Sequence, residues 1–376
     1  MVRYFPMNTA RARLPEEVRA MWVVRTSMVS PQAIERVVEL AQAYGFNTLF
    51  AQVRGRGDAY YRSSHEPRAE ALARQPDSFD PLGFLLTQAR SAGLMVHAWL
   101  NVYYVWSQPQ PPRSHLHVVS RAANWVARDW RNRYQMTTAR RVEGVYLCPG
   151  NPHVRTHLLK VFGEVAQRYP TLDGIHLDYV RYSDASYCYC AGCRARFRAA
   201  IAPCVSVSQR RELDRKSLRN PLAWIQAFPL EWDDWRREQV SLFVHAFARQ
   251  SRQINPKLIL SAAVYPHPLN AYRHKLQHWT LWLRRDWLDT VLPMAYDTDT
   301  GVVIQQMQLA LQVADGRPVI GGIGAWRISP ESTVNKIRAL RRLGARGFCL
   351  FSYDTITQKG TSESYLNRIA SVMNPL

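Results

Sequence analysis

The sequence predicts an α/β fold, a single (β/α)8 TIM barrel with long loops after strands 3 and 4. Three observations carry this. β-rich segments alternate with amphipathic helical segments until eight strands are counted across the 376 residues, and parallel strands joined by right-handed helical crossovers close at eight. Several helices open on a capping residue followed by proline, the N-cap and first-turn pair. No glycine-rich phosphate loop follows the first strand, which takes away the cue for the alternative, a doubly wound open sheet.

The first strand lies in "MWVVRTSM" (21–28), and Ser30-Pro31 cap the helix that follows. Ile34, Val37, Val38 and Ala41 recur at helical spacing, and Gly45 closes the helix. "FNTLFAQVRG" is the second strand, and Asp80-Pro81 start a helix that runs to Gly93. "LMVHAWLNVYYVW" is the third strand. Asn151-Pro152 then begin a helix whose Val154, Leu158, Val161, Phe162 and Val165 share a face. "DGIHLDYVRY" (173–182) is the fourth strand, and a helix from about Trp235 to Ile254 leads to the fifth, "LILSAAVYP". "TVLPMAYD", "PVIGGIGAW" and "GFCLFSYD" are the last three, with Ser329-Pro330 opening the helix between the seventh and eighth.

Residues 1–20 read as an N-terminal extension and 21–376 as one barrel. Its insertions, at about 107–150 and 183–232, are too long for plain loops. Both fall after the C-terminal ends of strands, the face where barrels carry function.

Composition sets outer bounds. The chain is 47% hydrophobic and 21% charged, the profile of a globular protein with ample core. No apolar run approaches the ~20 residues of a spanning helix. The first twenty residues lack a continuous apolar core, so the sequence as it stands predicts a cytoplasmic protein; a leader missing from the N-terminus would make it exported or a cell-envelope protein. The net charge is +20, yet only six of the 49 basic residues are Lys, and the arginines are spread along the whole chain. No basic run interleaved with stacking aromatics is present, so nucleic acid is not the expected partner.

In a barrel strand alternate residues face the interior. If Asp178 points inward, so does His176. The third strand puts His97, Trp99, Asn101 and Tyr103 on one face, and the second offers Gln52 and Arg54. Tyr296 and Asp297 end the sixth strand, Trp326 follows the seventh, and Asp354 ends the eighth. Asp58, in "GRGDAYY", either touches substrate or caps a turn. Converging carboxylates, amides and aromatic rings suit a polysaccharide or oligosaccharide, since rings stack on sugar faces and polar groups bind hydroxyls. Glycosidic cleavage needs two carboxylates in different environments. Asp178 is the first, with Asp297 and then Asp354 as expected partners. Arg54, Asp58, His97, Trp99, Asn101, Tyr103, His176, Tyr296 and Trp326 are expected to bind substrate, with Trp106 also on the cleft wall. Asp173, at the other end of the fourth strand, reads as a turn residue. The eleven histidines are scattered and show no ligand spacing, which argues against a metal-dependent amidohydrolase. No cofactor is expected in catalysis.

Cys188, Cys190 and Cys193 form C-x-C-x-x-C, a spacing that can place three thiolates on one tetrahedral Zn²⁺, with Cys204 or Cys148 as fourth ligand. Six cysteines in so long a chain, three of them crowded together, do not suggest a secreted disulfide framework.

"FNTLFAQVRGRGDAYY", "FDPLGFLLTQARSAGLMVHAWLN", "YLCPGNPHVR", "LDGIHLDYVRY", "WLRRDWLDTVLPMAYD" and "GARGFCLFSYD" resemble, in this order and over most of residues 20–360, the glycosyl-hydrolase-like family 10 proteins. The resemblance implies a glycan-cleaving (β/α)8 barrel of bacterial type, acting on a polysaccharide such as an amino-sugar polymer, whose essential strand-4 aspartate is Asp178. Two positions depart from the family pattern. Tyr179 stands where a second acidic residue usually follows that aspartate, and Asp297 stands where an aromatic is expected. The loss of a carboxylate at Tyr179 motivates the alternative, a non-catalytic glycan-binding barrel.

Overall fold

The computed structural model describes residues 13–134, 143–357 and 362–373. Eight parallel strands form the barrel: β1 (Val18–Val23), β2 (Thr48–Arg54), β3 (Met95–Asn101), β4 (Gly174–Asp178), β5 (Ile259–Val264), β6 (Thr290–Pro293), β7 (Gly321–Ile323) and β8 (Gly347–Phe351). Each strand pairs with its neighbour in sequence, and β1 pairs with β8. The seam between β6 and β7 is narrower, made by the bridges Val291–Val319 and Met294–Gly322. The strands are short and buried on both faces, as parallel strands covered by helices must be.

Two hydrophobic layers follow from the alternation. Val18, Ala20, Trp22, Phe50, Leu292, Ile320 and Cys349 fill the barrel interior. Residues one position out of phase, such as Met21, Leu49, Val96 and Ile175, pack against the surrounding helices. The capping residues act as their types require: Ser30, Asp80, Asn151 and Ser329 each accept a backbone N–H in the first turn of a proline-initiated helix. Each such cap satisfies one of the donors that a helix start leaves open. Asp173 is likewise a fastening residue, accepting the backbone N–H of Val96 at 2.8 Å at the barrel's N-terminal end.

The boundaries differ from the sequence pattern in two places that matter. β1 begins at Val18, inside the expected N-terminal extension, because Val18 and Ala20 pair with Gly347 and Cys349 of β8. The third apolar run is two elements. β3 ends at Asn101, and Tyr104–Trp106 forms a separate antiparallel pair with Val145–Tyr146. That pair brings the far end of the first insertion back to the barrel mouth. The second insertion folds as helices Ala191–Ile201, Val207–Ser217 and Ala223–Ala227, followed by the long helix Pro229–Ile254. Among the described residues no helix is long and apolar enough to cross a membrane.

Candidate active site

β4 ends at Asp178, which pairs in register with Asn101 at the end of β3. The next residue, Tyr179, has φ of 50°. This left-handed conformation is costly for a side chain with a Cβ. Here it aims the Tyr179 N–H at Asp178 Oδ1, at 2.6 Å, and stacks the Tyr179 ring on Tyr104, with centroids 4.6 Å apart. Asp178 is buried at the wall of a cavity of about 420 Å³. Burial pushes its carboxyl up to about 6, against the opposing pull of Arg181 and the Tyr179 N–H. A carboxylic acid in that range holds its proton up to mildly acidic pH and can give it up there.

A second carboxylate lines the same cavity. Glu143 precedes the Val145–Tyr146 strand, and its Oε2 accepts hydrogen bonds from the Tyr146 hydroxyl at 2.5 Å and from Arg181 Nη2 at 3.0 Å. Partial burial alone would raise Glu143, but Arg181 and the Tyr146 hydroxyl outweigh it and hold the carboxyl below its ordinary value. Arg181 is itself buried, three residues beyond Asp178, with its guanidinium against the rings of Tyr179 and Tyr265. The site therefore holds one carboxyl pushed up and one held down.

The floor is aromatic. Trp22, Trp99, Tyr296 and Phe351 meet there, with the Tyr296 and Phe351 rings 5.6 Å apart. Asn101 accepts the Trp99 indole N–H at 3.0 Å and donates to the Gly55 carbonyl, so Trp99 is held in place. Arg25 and Gln52, hydrogen-bonded at 3.0 Å, complete the rim beside β1. Of the residues expected from sequence, Asp178, Trp99, Asn101 and Tyr296 are brought together here.

The structure puts the others elsewhere, each for a local reason. His97 and His176 do face inward, but one layer lower, inside the barrel. Both rings lie 4.7 Å from Phe50, and His176 accepts from the Trp22 indole and meets the Ser261 hydroxyl at 2.9 Å. Burial pushes His97 down to about 3 and His176 well below its usual value, so both are neutral core residues. Arg54 leaves the interior because β2 slips register between Gln52 and Arg54, so that Arg54 pairs with outward-facing Leu100. It is fully buried in an ion pair with Glu66 at 2.6 Å and donates to the carbonyls of Asn101 and Val102. Tyr103 sits past the end of β3, and its ring packs on Phe243 outside the barrel. Trp106 donates to the Gln110 carbonyl and packs on His117, also away from the cavity.

Asp58 takes the turn role, accepting the Arg56 backbone N–H at 2.9 Å. Asp297 is exposed and accepts the Asp299 N–H, outside the cavity. Asp354 is buried, with both oxygens engaged by Val24 N–H and the Thr26 and Ser27 hydroxyls, so it fastens the β1 loop instead of facing the cavity. Trp326 stands behind the wall, edge-on to Tyr296 at 5.0 Å. The sulfurs of Cys148, Cys188, Cys190 and Cys193 cluster within 4.8 Å of one another, whereas Cys204 is exposed and outside the group.

Sequence reasoning missed Glu143, Arg181, Tyr104, Tyr179 and Tyr265. Arg181 and Tyr265 were reachable, since each lies within a few residues of a strand's C-terminal end. Glu143 carried no such signal, because only the hairpin returning from a forty-residue insertion brings it to the mouth.

The family model described as Glycosyl hydrolase-like 10 matches residues 17–318. Glycosyl hydrolase YngK of Bacillus subtilis (strain 168) is 25% identical over 193 residues, 45% of this chain and 34% of that protein. Glycosyl hydrolase DigH of Escherichia coli (strain K12) is 30% identical over 165 residues, 42% of this chain and 36% of that protein. Both alignments span about a third of the relative's length. Among solved structures, the PgaB (BpsB) glycoside hydrolase domain from Bordetella bronchiseptica superposes with a TM-score of 0.68 at 16% identity, covering 94% of this chain and 99% of that one. The catalytic domain of the Paenibacillus polymyxa β-amylase gives 0.65 at 13% identity, covering 97% and 100%. At these identities the likeness is one of fold.

Proposed function

This chain belongs to the glycosyl hydrolase-like 10 family, and from that premise we propose that it cleaves glycosidic bonds in a bacterial polysaccharide, with Asp178 as general acid and Glu143 as its ionised partner. One observation carries the reading: two carboxyls on one cavity have environments that move them in opposite directions. Pairs of titratable groups separated in this way assign acid and base in glycosidases. In the proposed step the Asp178 proton passes to the glycosidic oxygen as its bond to the anomeric carbon breaks. The charge that develops on the ring faces the Glu143 carboxylate, which either attacks the anomeric carbon or takes a proton from the attacking water. Tyr146 and Arg181 keep Glu143 ionised and fix its orientation. Trp99, Tyr296 and Tyr104 provide faces for sugar rings, and Asn101, Gln52 and Arg25 provide hydroxyl partners.

The substrate proposed is an amino-sugar polymer such as the glycan of peptidoglycan. Release of reducing ends from a panel that includes peptidoglycan, poly-glucosamine and neutral glucans tests it. Product from amino-sugar polymers alone supports the proposal, and product from neutral glucans alone reassigns the substrate. The second reading, a glycan-binding barrel without turnover, is favoured by Tyr179 standing in place of a carboxylate. Binding to a glycan with no reducing ends released would establish it.

A further inference from the structure

We propose that Cys148, Cys188, Cys190 and Cys193 bind one Zn²⁺ ion, and that this ion clamps the two insertions of the barrel together beside the cavity. Four sulfurs at about 2.3 Å from a tetrahedral zinc stand about 3.8 Å from one another. The four cysteines are already gathered within 4.8 Å, with Cys148 Sγ at 3.9 Å from Cys190 Sγ and 3.2 Å from Cys193 Sγ. Three of the four are buried. An all-sulfur tetrahedral set selects zinc among the common divalent ions, and a set of four protein ligands with no open position marks a site that holds structure.

The surroundings fit a thiolate centre. The backbone N–H of Arg128 points at Cys188 Sγ at 3.3 Å, a donor that an ionised sulfur accepts. Glycine at 150 leaves the room that Cys193 occupies, since a Cβ there would lie 2.7 Å from its sulfur. The Cys193 helix is seated by Phe197 against Trp232, with ring centroids 5.0 Å apart. Cys204 and Cys349, the remaining cysteines, stand outside the cluster.

The position gives the ion a consequence. Cys148 lies two residues after Tyr146, whose hydroxyl holds Glu143, and it ends the first insertion. Cys188, Cys190 and Cys193 lie in the second insertion, downstream of Arg181. Metal binding therefore joins the segment carrying one carboxylate to the segment that follows the strand of the other. This consequence rests on the acid and partner roles proposed for Asp178 and Glu143; the metal site itself does not.

The test uses the full chain, produced with zinc in the medium and purified without chelator. Elemental analysis should find one zinc per chain, and four of the six thiols should react with a mercurial only as zinc is released to a chromophoric chelator. Cys204→Ser should keep its zinc and Cys148→Ser should lose it. Stripping the metal should open the 184–196 segment to trypsin at Arg194 and Arg196. Absence of zinc, iron in its place, a Cys148–Cys193 disulfide in the peptide map, or zinc lost from Cys204→Ser would each overturn the site. Zinc present but with trypsin cleavage unchanged on its removal would overturn the clamp. None of these readings depends on glycan cleavage, so the site and the hydrolase reading fail separately.

Discussion

Arg181 Nη2 lies 3.0 Å from Glu143 Oε2. The contact joins the first insertion to the residue three places beyond Asp178, so one cation pulls down on both carboxyls. It bonds Glu143 directly and holds that carboxylate down, while burial keeps Asp178 raised.

The pH profile should report the pair. The proposed step needs Asp178 protonated and Glu143 ionised. kcat/KM should therefore fall as pH rises through about 6 and hold on the acid side until pH drops below the ordinary glutamate range. Initial rates between pH 3 and 8 check this. A profile that rises through pH 6 to 8 would reverse the assignment of acid and base.

Asp178 also leaves a mark on stability. Its folded pKa lies above the usual aspartate value, so the folded state binds the proton more tightly than the unfolded chain. Its contribution to stability is fullest below about pH 4 and is lost as pH rises to about 6. The difference is on the order of 3 kcal/mol, at roughly 1.4 kcal/mol per pH unit. Asp178→Asn should accordingly be more stable than the parent at pH 7.5 and no more stable at pH 4, measured by urea unfolding. Equal destabilisation at both pH values would show that the carboxylate serves the scaffold.

Glu143→Gln keeps the Tyr146 contact but cannot ionise. Turnover should drop by roughly 10²–10⁴-fold, the range of a general acid or base, with the acid limb of the profile gone and glycan affinity within a few-fold. The anomer first released by the parent from a polymer without N-acetyl groups, read by NMR, assigns Glu143 its role: retention makes it the nucleophile and inversion the base. Unchanged turnover in Glu143→Gln would remove it from the chemistry.

Arg54 and Trp326 should separate scaffold from wall. Arg54→Met leaves the buried Glu66 with only His157, at 3.4 Å, a change of the kind that costs about 3–5 kcal/mol when one partner of a buried pair is removed. KM should stay within a few-fold in the folded fraction. Trp326→Ala removes the ring that backs Tyr296, and should raise KM for long glycans several-fold with a smaller loss of stability. The reverse pattern at either position would exchange their roles.

The eight strands were legible because alternation, caps and turn prolines all survive as local signals. Inward parity also placed Asp178, Trp99 and Asn101 correctly on their strands. Parity failed where the backbone departs from a regular strand. The slip after Gln52 turned Arg54 outward, and the end of β3 at Asn101 sent Tyr103 to the helix layer and Tyr104 to the cavity. It also could not rank depth, so His97 and His176 faced inward but below the mouth. Asp354 satisfied the positional rule for a catalytic carboxylate, yet three local donors occupy it. Glu143 depends on a return path through a long insertion, which no periodicity encodes.

The most direct measurement compares reducing ends released by the parent and by Asp178→Asn on a polymer that the parent cleaves, with glycan affinity measured by calorimetry on both. Asp178→Asn should lose at least about 10³-fold in turnover with affinity retained within a few-fold. Turnover within tenfold of the parent would contradict it.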